Sequence, residues 1–110
     1  MVTKILTAAG FAENKTFRET RFLKPPKTTY AVYMDSFRVG GGDNDALVKY
    51  HSATIELYEY SPDPEAEAMV EAQLIAFFPQ MSSEWEKQER YWIQEEQLFQ
   101  VIYTFDYIEK

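Results

Sequence analysis

The run from Tyr50 to Phe78 constrains this chain more than any other, because it spells a strand, a helix cap and a helix with almost nothing between them. From Ala53 to Tyr60 the residues suit a half-buried pleated surface. Ala53, Ile55 and Leu57 share one face, and Thr54, Glu56, Tyr58 and Tyr60 share the other. The first of these is the core face. Asp63 can then accept hydrogen bonds from the first free backbone N–H groups of a helix, Pro64 presets the φ of a first-turn residue, and Glu65 and Glu67 suit the positive N-terminal end. Ala66, Met69, Val70, Gln73/Leu74 and Phe77 recur at helical spacing. Pro79 stops the helix by lacking a donor and by disfavouring helical backbone at Phe78. A helix so patterned must lay one face on a sheet, and Ile55, Leu57, Val70, Leu74, Phe77, Val101, Tyr103 and Phe105 are the expected core.

The rest of the chain supplies that sheet. Val2, Ile5, Leu6 and Ala9 are spaced as a short first helix, with Gly10-Phe11 suited to a left-handed C-terminal cap and its apolar contact. Residues 12–27 show no steady period and read as an ordered connector ending in Pro25-Pro26, with a short strand expected around Phe17 to Leu23. Alternation from Thr28 to Phe37 predicts a strand, and Gly40-Gly41-Gly42-Asp43-Asn44-Asp45 breaks regular structure before the Tyr50 to Tyr60 strand. Trp85 to Ile93 alternates as one strand, Gln94-Glu95-Glu96 is a polar turn, and Leu98 to Tyr107 is the longest strand and its hairpin partner. The order is α-β-β-α-β-β. The fold class is therefore α+β: an antiparallel sheet of about four main strands covered on one face by two helices.

At 110 residues there is room for one domain, 1–110, with one core. Apolar residues are 45% of the chain and aromatics 16%, enough to offset the entropy of ordering it. The absence of cysteine excludes disulfides, thiolate zinc sites and cysteine nucleophiles. No apolar run approaches a membrane span and the first residues make a poor secretion signal, so a soluble, unprocessed protein without membrane contact is expected. The formal charge of −7 argues against a phosphate-gripping surface. It is unevenly placed: Lys4, Lys15, Arg18, Arg21, Lys24 and Lys27 crowd the first quarter, and most acids lie between Asp43 and Glu96. Two oppositely signed surfaces can meet between copies.

Catalytic signatures do not emerge. His51 is the lone imidazole, and a histidine at a strand edge is more often packed or solvated than catalytic. Serines lack the nucleophile elbow, and carboxylate pairs such as Glu95/Glu96 are inevitable among 18 acids. The Gly40 to Asp45 loop lacks the Lys-Ser/Thr ending of a phosphate loop, the spacing of a dinucleotide site and the distal Glu of a calcium hand. It reads instead as a flexible or partner-binding loop, free until a neighbour orders it. Pro25-Pro26 reads as a rigid lead-in rather than a polyproline ligand. Trp85 and Trp92 belong to core or interface. No enzyme, cofactor or metal is expected.

Several strings together resemble a known family. Pro25 to Tyr33 (Pro-Pro-Lys-Thr-Thr-Tyr-Ala-Val-Tyr), Gly42-Asp43-Asn44, His51 with Ile55-Glu56-Leu57-Tyr58, Trp92 to Glu96 and Phe99 to Phe105 are similar to the tail-completion or tail-terminator proteins of long-tailed phages and prophages of Gram-positive bacteria. The resemblance spans nearly the whole chain. It implies the α+β order derived above and a ring, usually of six subunits, capping the tail tube beneath the head. It further implies a virion-tail protein present in the host bacterial cytoplasm during assembly, with partners in its own copies, the tail tube protein and a head–tail connector protein, and with DNA passing through unbound. A monomer in solution is compatible with this. The glycine-rich loop departs from the family pattern.

The interface candidates are Arg18, Arg21, Lys24, Lys27, Gly40, Gly41, Gly42, Asp43, Asn44, Asp45, Trp85 and Trp92. In a ring, acids would line the lumen, where they repel DNA, and the basic N-terminal third would face neighbouring copies; alternatively the negative charge only maintains solubility. The other class of function is a small-ligand binding domain or a non-catalytic enzyme subunit, which requires a pocket that no residues announce.

Overall fold

The computed structural model describes residues 1–41 and 47–109. The chain runs α1 (Val2–Ala8), β1 (Phe17–Glu19), β2 (Tyr30–Gly40), β3 (Val48–Glu59), α2 (Pro64–Phe77), β4 (Glu86–Lys87), β5 (Tyr91–Ile93) and β6 (Leu98–Glu109), with a single 3-10 turn at Phe78–Gln80. The six strands make one sheet in the order β1-β2-β3-β6-β4, and β5 pairs the same edge of β6 as β4 does. Three of its strands are long. An 11- or 12-residue strand reaches about 40 Å at the usual rise, which accounts for a molecule 51 Å long and only 27 by 23 Å across.

Both helices lie on one face of the sheet, as expected. Ala53, Ile55 and Leu57 of β3 and Val101, Tyr103 and Phe105 of β6 meet Val2, Ile5 and Leu6 of α1 and Val70 and Leu74 of α2 in one buried cluster. The anticipated core is therefore present, with Phe77 only partly buried at its margin. Asp63 caps α2 by accepting from Ala66 N–H at 3.0 Å, Thr29 Oγ1 donates to its other oxygen at 2.6 Å, and Pro64 stands at the first helical position. The end of α1 turns on Gly10 at φ +101°, where Phe11 N–H reaches back to Leu6 C=O at 3.0 Å and a Cβ would touch Met69.

The sheet departs from the expected four-strand antiparallel pattern in three places. First, the short strand expected around Phe17 to Leu23 is only three residues long, β1, and pairs parallel to β2, with Phe17 opposite Ala31. Thr20 ends it at φ +70°, which places a β-branched residue in the left-handed region and turns the chain away. Second, residues 20–27 cross the helix-free face. There Phe22 packs edge-on against Tyr30, Tyr30 stacks on Tyr58 at 5.2 Å, and with Val32 and Leu98 they form a second small core. Third, the single strand expected over Trp85 to Ile93 is broken into β4 and β5. After Gln88 the chain leaves the ladder at residues 89 and 90, where Arg90 turns back toward the carboxylates of Glu59 and Glu67.

Candidate assembly interface

One long edge of the sheet is closed by residues 81–93, which run along the outside of β6. Met81 bridges Tyr107, Ser82 N–H donates to Asp106 C=O at 2.9 Å, β4 pairs Thr104 and Tyr103, Gln88 N–H donates to Ile102 C=O at 2.9 Å, and β5 pairs Leu98 to Gln100. Side chains fasten this cover to α2. Arg90 donates to Glu67 at 2.6 Å and to Glu59 at 3.3 Å, and Lys87 donates to Glu67 at 3.0 Å and to Glu71 at 2.7 Å. Tyr103 O–H donates to the same Glu71 oxygen at 2.7 Å.

Glu59 is wholly buried at the centre of this network, and its Oε2 has no hydrogen-bond partner among the described residues. Burial, then the hydrogen bond and charge of Glu67, push its carboxyl up from 4.5 to about 7. Burial works against ionising Glu67 too, but hydrogen bonds from Glu59, Arg90 and Lys87 outweigh it and hold Glu67 below the ordinary carboxylate range. Of the two, Glu59 is therefore the one that holds a proton more readily, and Lys87 and Arg90 are drawn to the carboxylate of Glu67. As both cations are drawn inward, the outer surface of this edge keeps Glu84, Glu86 and Glu89 exposed without an ion-pair partner among the described residues, beside exposed Tyr91 and Trp92.

The opposite edge is finished differently. Ala31 N–H donates to Thr16 C=O and Thr20 N–H to Tyr33 C=O, so residues 31 and 33 of β2 point their backbone groups outward and β1 covers them. By strand alternation Asp35, Phe37 and Val39 point outward as well, and among the described residues nothing pairs with them. Here β2 and β3 run on as an arm-like end of the sheet, with β6 paired to β3 as far as Lys49. Phe37 and Val39 are both more than half exposed, Lys49 lies 4.9 Å from the Phe37 ring centre, and Arg38 sits 4.4 Å over Tyr50. Gly40 lets the Tyr50 ring approach, since a Cβ there would lie 3.1 Å from it.

The root of the arm is held by His51. Its Nδ1 faces Asp35 at 2.7 Å, its Nε2 faces Glu109 at 2.9 Å, and its ring stacks on Tyr107, whose O–H donates to the second Asp35 oxygen. Burial favours the neutral ring, but the hydrogen bonds to Asp35 and Glu109 prevail and raise its pKa above 6.5. An imidazolium can donate to both carboxylates at once, whereas a neutral ring donates to one. His51 is thus a packed structural residue that ties β2, β3 and the end of β6 together. A packed or solvated His51 was the expectation, but its partners were not legible, because Asp35, His51 and Glu109 are distant along the chain and meet only through strand register.

Of the residues singled out from sequence, Arg18 is exposed on β1, and Arg21, Lys24 and Lys27 are exposed on the connector that crosses the helix-free face. Gly40 ends β2 and Gly41 follows it, while Gly42, Asp43, Asn44 and Asp45 lie outside the described residues. Trp85 packs on the core beside Tyr103 at 6.2 Å between ring centres. Trp92 is 38% exposed, packs on Phe99 and donates from Nε1 to Gln94 at 2.8 Å. Sequence reading missed Glu59, Glu67, Lys87 and Arg90 as a unit. Glu67 is not a solvated first-turn acid but a buried partner of two cations.

No protein-family model and no curated protein matches the chain. Among solved structures it is similar to a chain in the virion of a native gene transfer agent particle, with a TM-score of 0.56 and 10% identity over 94% of this chain and 82% of that one. At this identity the likeness is one of fold. The sheet with its two helices is shared with a chain built into a virion.

Proposed function

We propose that this chain is a phage virion structural subunit, a tail-completion or terminator protein that forms a ring at the head-proximal end of the tail tube and joins tail to head. The observation that carries this reading is the pair of unlike sheet edges, one covered by residues 81–93 and the other open from Asp35 to Val39 among the described residues, on a fold similar to that of a chain of a virion particle. Unlike edges on one subunit suit head-to-tail contacts, which close into rings when the rotation between neighbours permits. The partners in this reading are copies of the chain, the tail tube protein and a connector protein. The protein works in the virion tail after assembly in the bacterial cytoplasm. The reading assigns it no catalysis; the charged groups around Glu59 and His51 are read as structural ties between strands and helix. A net charge of −7 suits a passage through which DNA moves without being held.

Disrupting the gene in the phage or prophage that encodes it, and viewing the particles by electron microscopy, tests the proposal. Filled heads and tails should accumulate unjoined, and the protein supplied in trans should restore joined particles. Normal particles from the disrupted phage would refute it.

A further inference from the structure

Both ring nitrogens of His51 face carboxylates, and we infer that His51 is a pH-operated tie: while its ring is charged it holds the ends of β2, β3 and β6 together, and when the ring gives up a proton that end of the sheet frays. Such a tie acts within one subunit and needs no ring of copies. Asp35 lies 2.7 Å from Nδ1 and Glu109 lies 2.9 Å from Nε2. An ionised carboxylate only accepts, so both contacts are hydrogen bonds only when the imidazole carries two N–H groups. The neutral ring keeps one N–H and turns a lone pair on the other carboxylate.

Burial decides which contact fails. Asp35 is 18% exposed and also accepts from Tyr107 O–H, whereas Glu109 is 55% exposed and has no other hydrogen-bond partner among the described residues. The remaining N–H therefore stays on Nδ1 with Asp35, and the Glu109 carboxylate turns to water. Glu109 ends β6 opposite Lys49, and Tyr107 stands opposite His51. Since β3 bonds β2 through its even-numbered residues, it bonds β6 through the odd-numbered ones, and the amides of Lys49, His51, Tyr107 and Glu109 close this end of the ladder. Met81 bridges Tyr107 and Ser82 N–H donates to Asp106, so the same fraying loosens the start of the cover over β6.

Among the described residues no other charged group bonds the ring. Glu19 of β1, Tyr33 of β2 and the amino end at Met1 line a hollow beside it, and Arg38 of β2 and Asp106 of β6 line another. Lys49 of β3 lies against Phe37, whose ring is the imidazole's neighbour at 5.4 Å. Burial favours the neutral ring, but the bonds to Asp35 and Glu109 prevail and raise its pKa above 6.5. The tie is therefore complete at low pH and is lost as pH rises through the raised value.

The chain has one histidine, so its ring gives a single titrating resonance. The midpoint should lie above 6.5. Over the same range the amides of His51 and Tyr107 should lose protection relative to those of Ala53 and Phe105, farther along the same ladder, by about tenfold for each pH unit by which the midpoint is raised. Glu109→Gln, at an exposed site, should fold normally, lower the midpoint and start the loss of protection at lower pH. A midpoint at or below 6.5, a protection ratio that does not change with pH, or a midpoint unmoved in Glu109→Gln overturns the inference.

Discussion

Along β6 the sheet edge is covered by residues 81–93 and fastened to α2 through Arg90 and Lys87, whereas along β2 only the first residues are covered and Asp35 to Val39 remain open. The two edges are held in different ways. On the β6 side Lys87 and Arg90 reach the carboxylates of Glu67, Glu71 and Glu59, so pairing fixes a cover along the edge. On the β2 side one imidazole, His51, stands between Asp35 and Glu109, which ties neighbouring strands together but leaves the backbone edge beside it open.

The comparison can be broken or sharpened at several points, beginning with the core that supports both edges. Leu74→Ala removes a fully buried side chain between α2 and the sheet and should cost roughly 2–5 kcal/mol, lowering the melting temperature sharply. An unchanged melting curve would mean that α2 does not carry the covered edge. Arg90→Ala should cost less, on the order of 1–3 kcal/mol, because Arg90 is one-third exposed although its partners Glu59 and Glu67 are buried. The matched change on the open edge, Arg38→Ala, should leave stability within about 0.5 kcal/mol. Equal losses from the two would erase the distinction between a locked edge and a free one.

Titration separates the same two regions. A group whose pKa is raised by folding contributes stability at low pH and loses it as pH rises through the folded value. Glu59, raised from 4.5 to about 7, and His51, raised above 6.5, both act in this direction. Glu67 acts oppositely, since its lowered pKa makes its contribution disappear only as pH falls through that value. Melting temperature should therefore decline from about pH 5 through pH 7 and beyond. Glu59→Gln should flatten the lower part of that decline and His51→Gln the upper part; a profile unaffected by both changes would contradict the proton placement on Glu59 and the charge on His51. The smallest effect concerns single amides. In the free protein those of Asp35, Phe37 and Val39 should exchange quickly while that of Ala31, bonded to Thr16, exchanges slowly. Protection at all four would show that the open edge is already covered.

The strand, cap and helix from Tyr50 to Phe78 were legible because each signal is local: a period of two, an Asp-Pro start, a period of 3.6 and a proline stop. The core face of β6 was legible for the same reason. A short strand near Phe17 was expected, but its parallel pairing with β2 was not legible, since three residues carry no period and its place is set by the turn at Thr20. Nor was the break between β4 and β5. The alternation from Trp85 to Ile93 is real, and it is overridden by two buried carboxylates contributed by β3 and α2. Charge was legible only along the chain: the crowding of basic residues up to Lys27 is plain in the sequence, but the pairing of Lys87 and Arg90 with Glu59, Glu67 and Glu71 is set by the fold.

The most direct test of the ring reading is whether copies of the chain associate, read by sedimentation in solution and by loading onto purified tails. One closed species, on tails if not in solution, is the result the account predicts. Protein that neither self-associates in solution nor assembles on tails would contradict it.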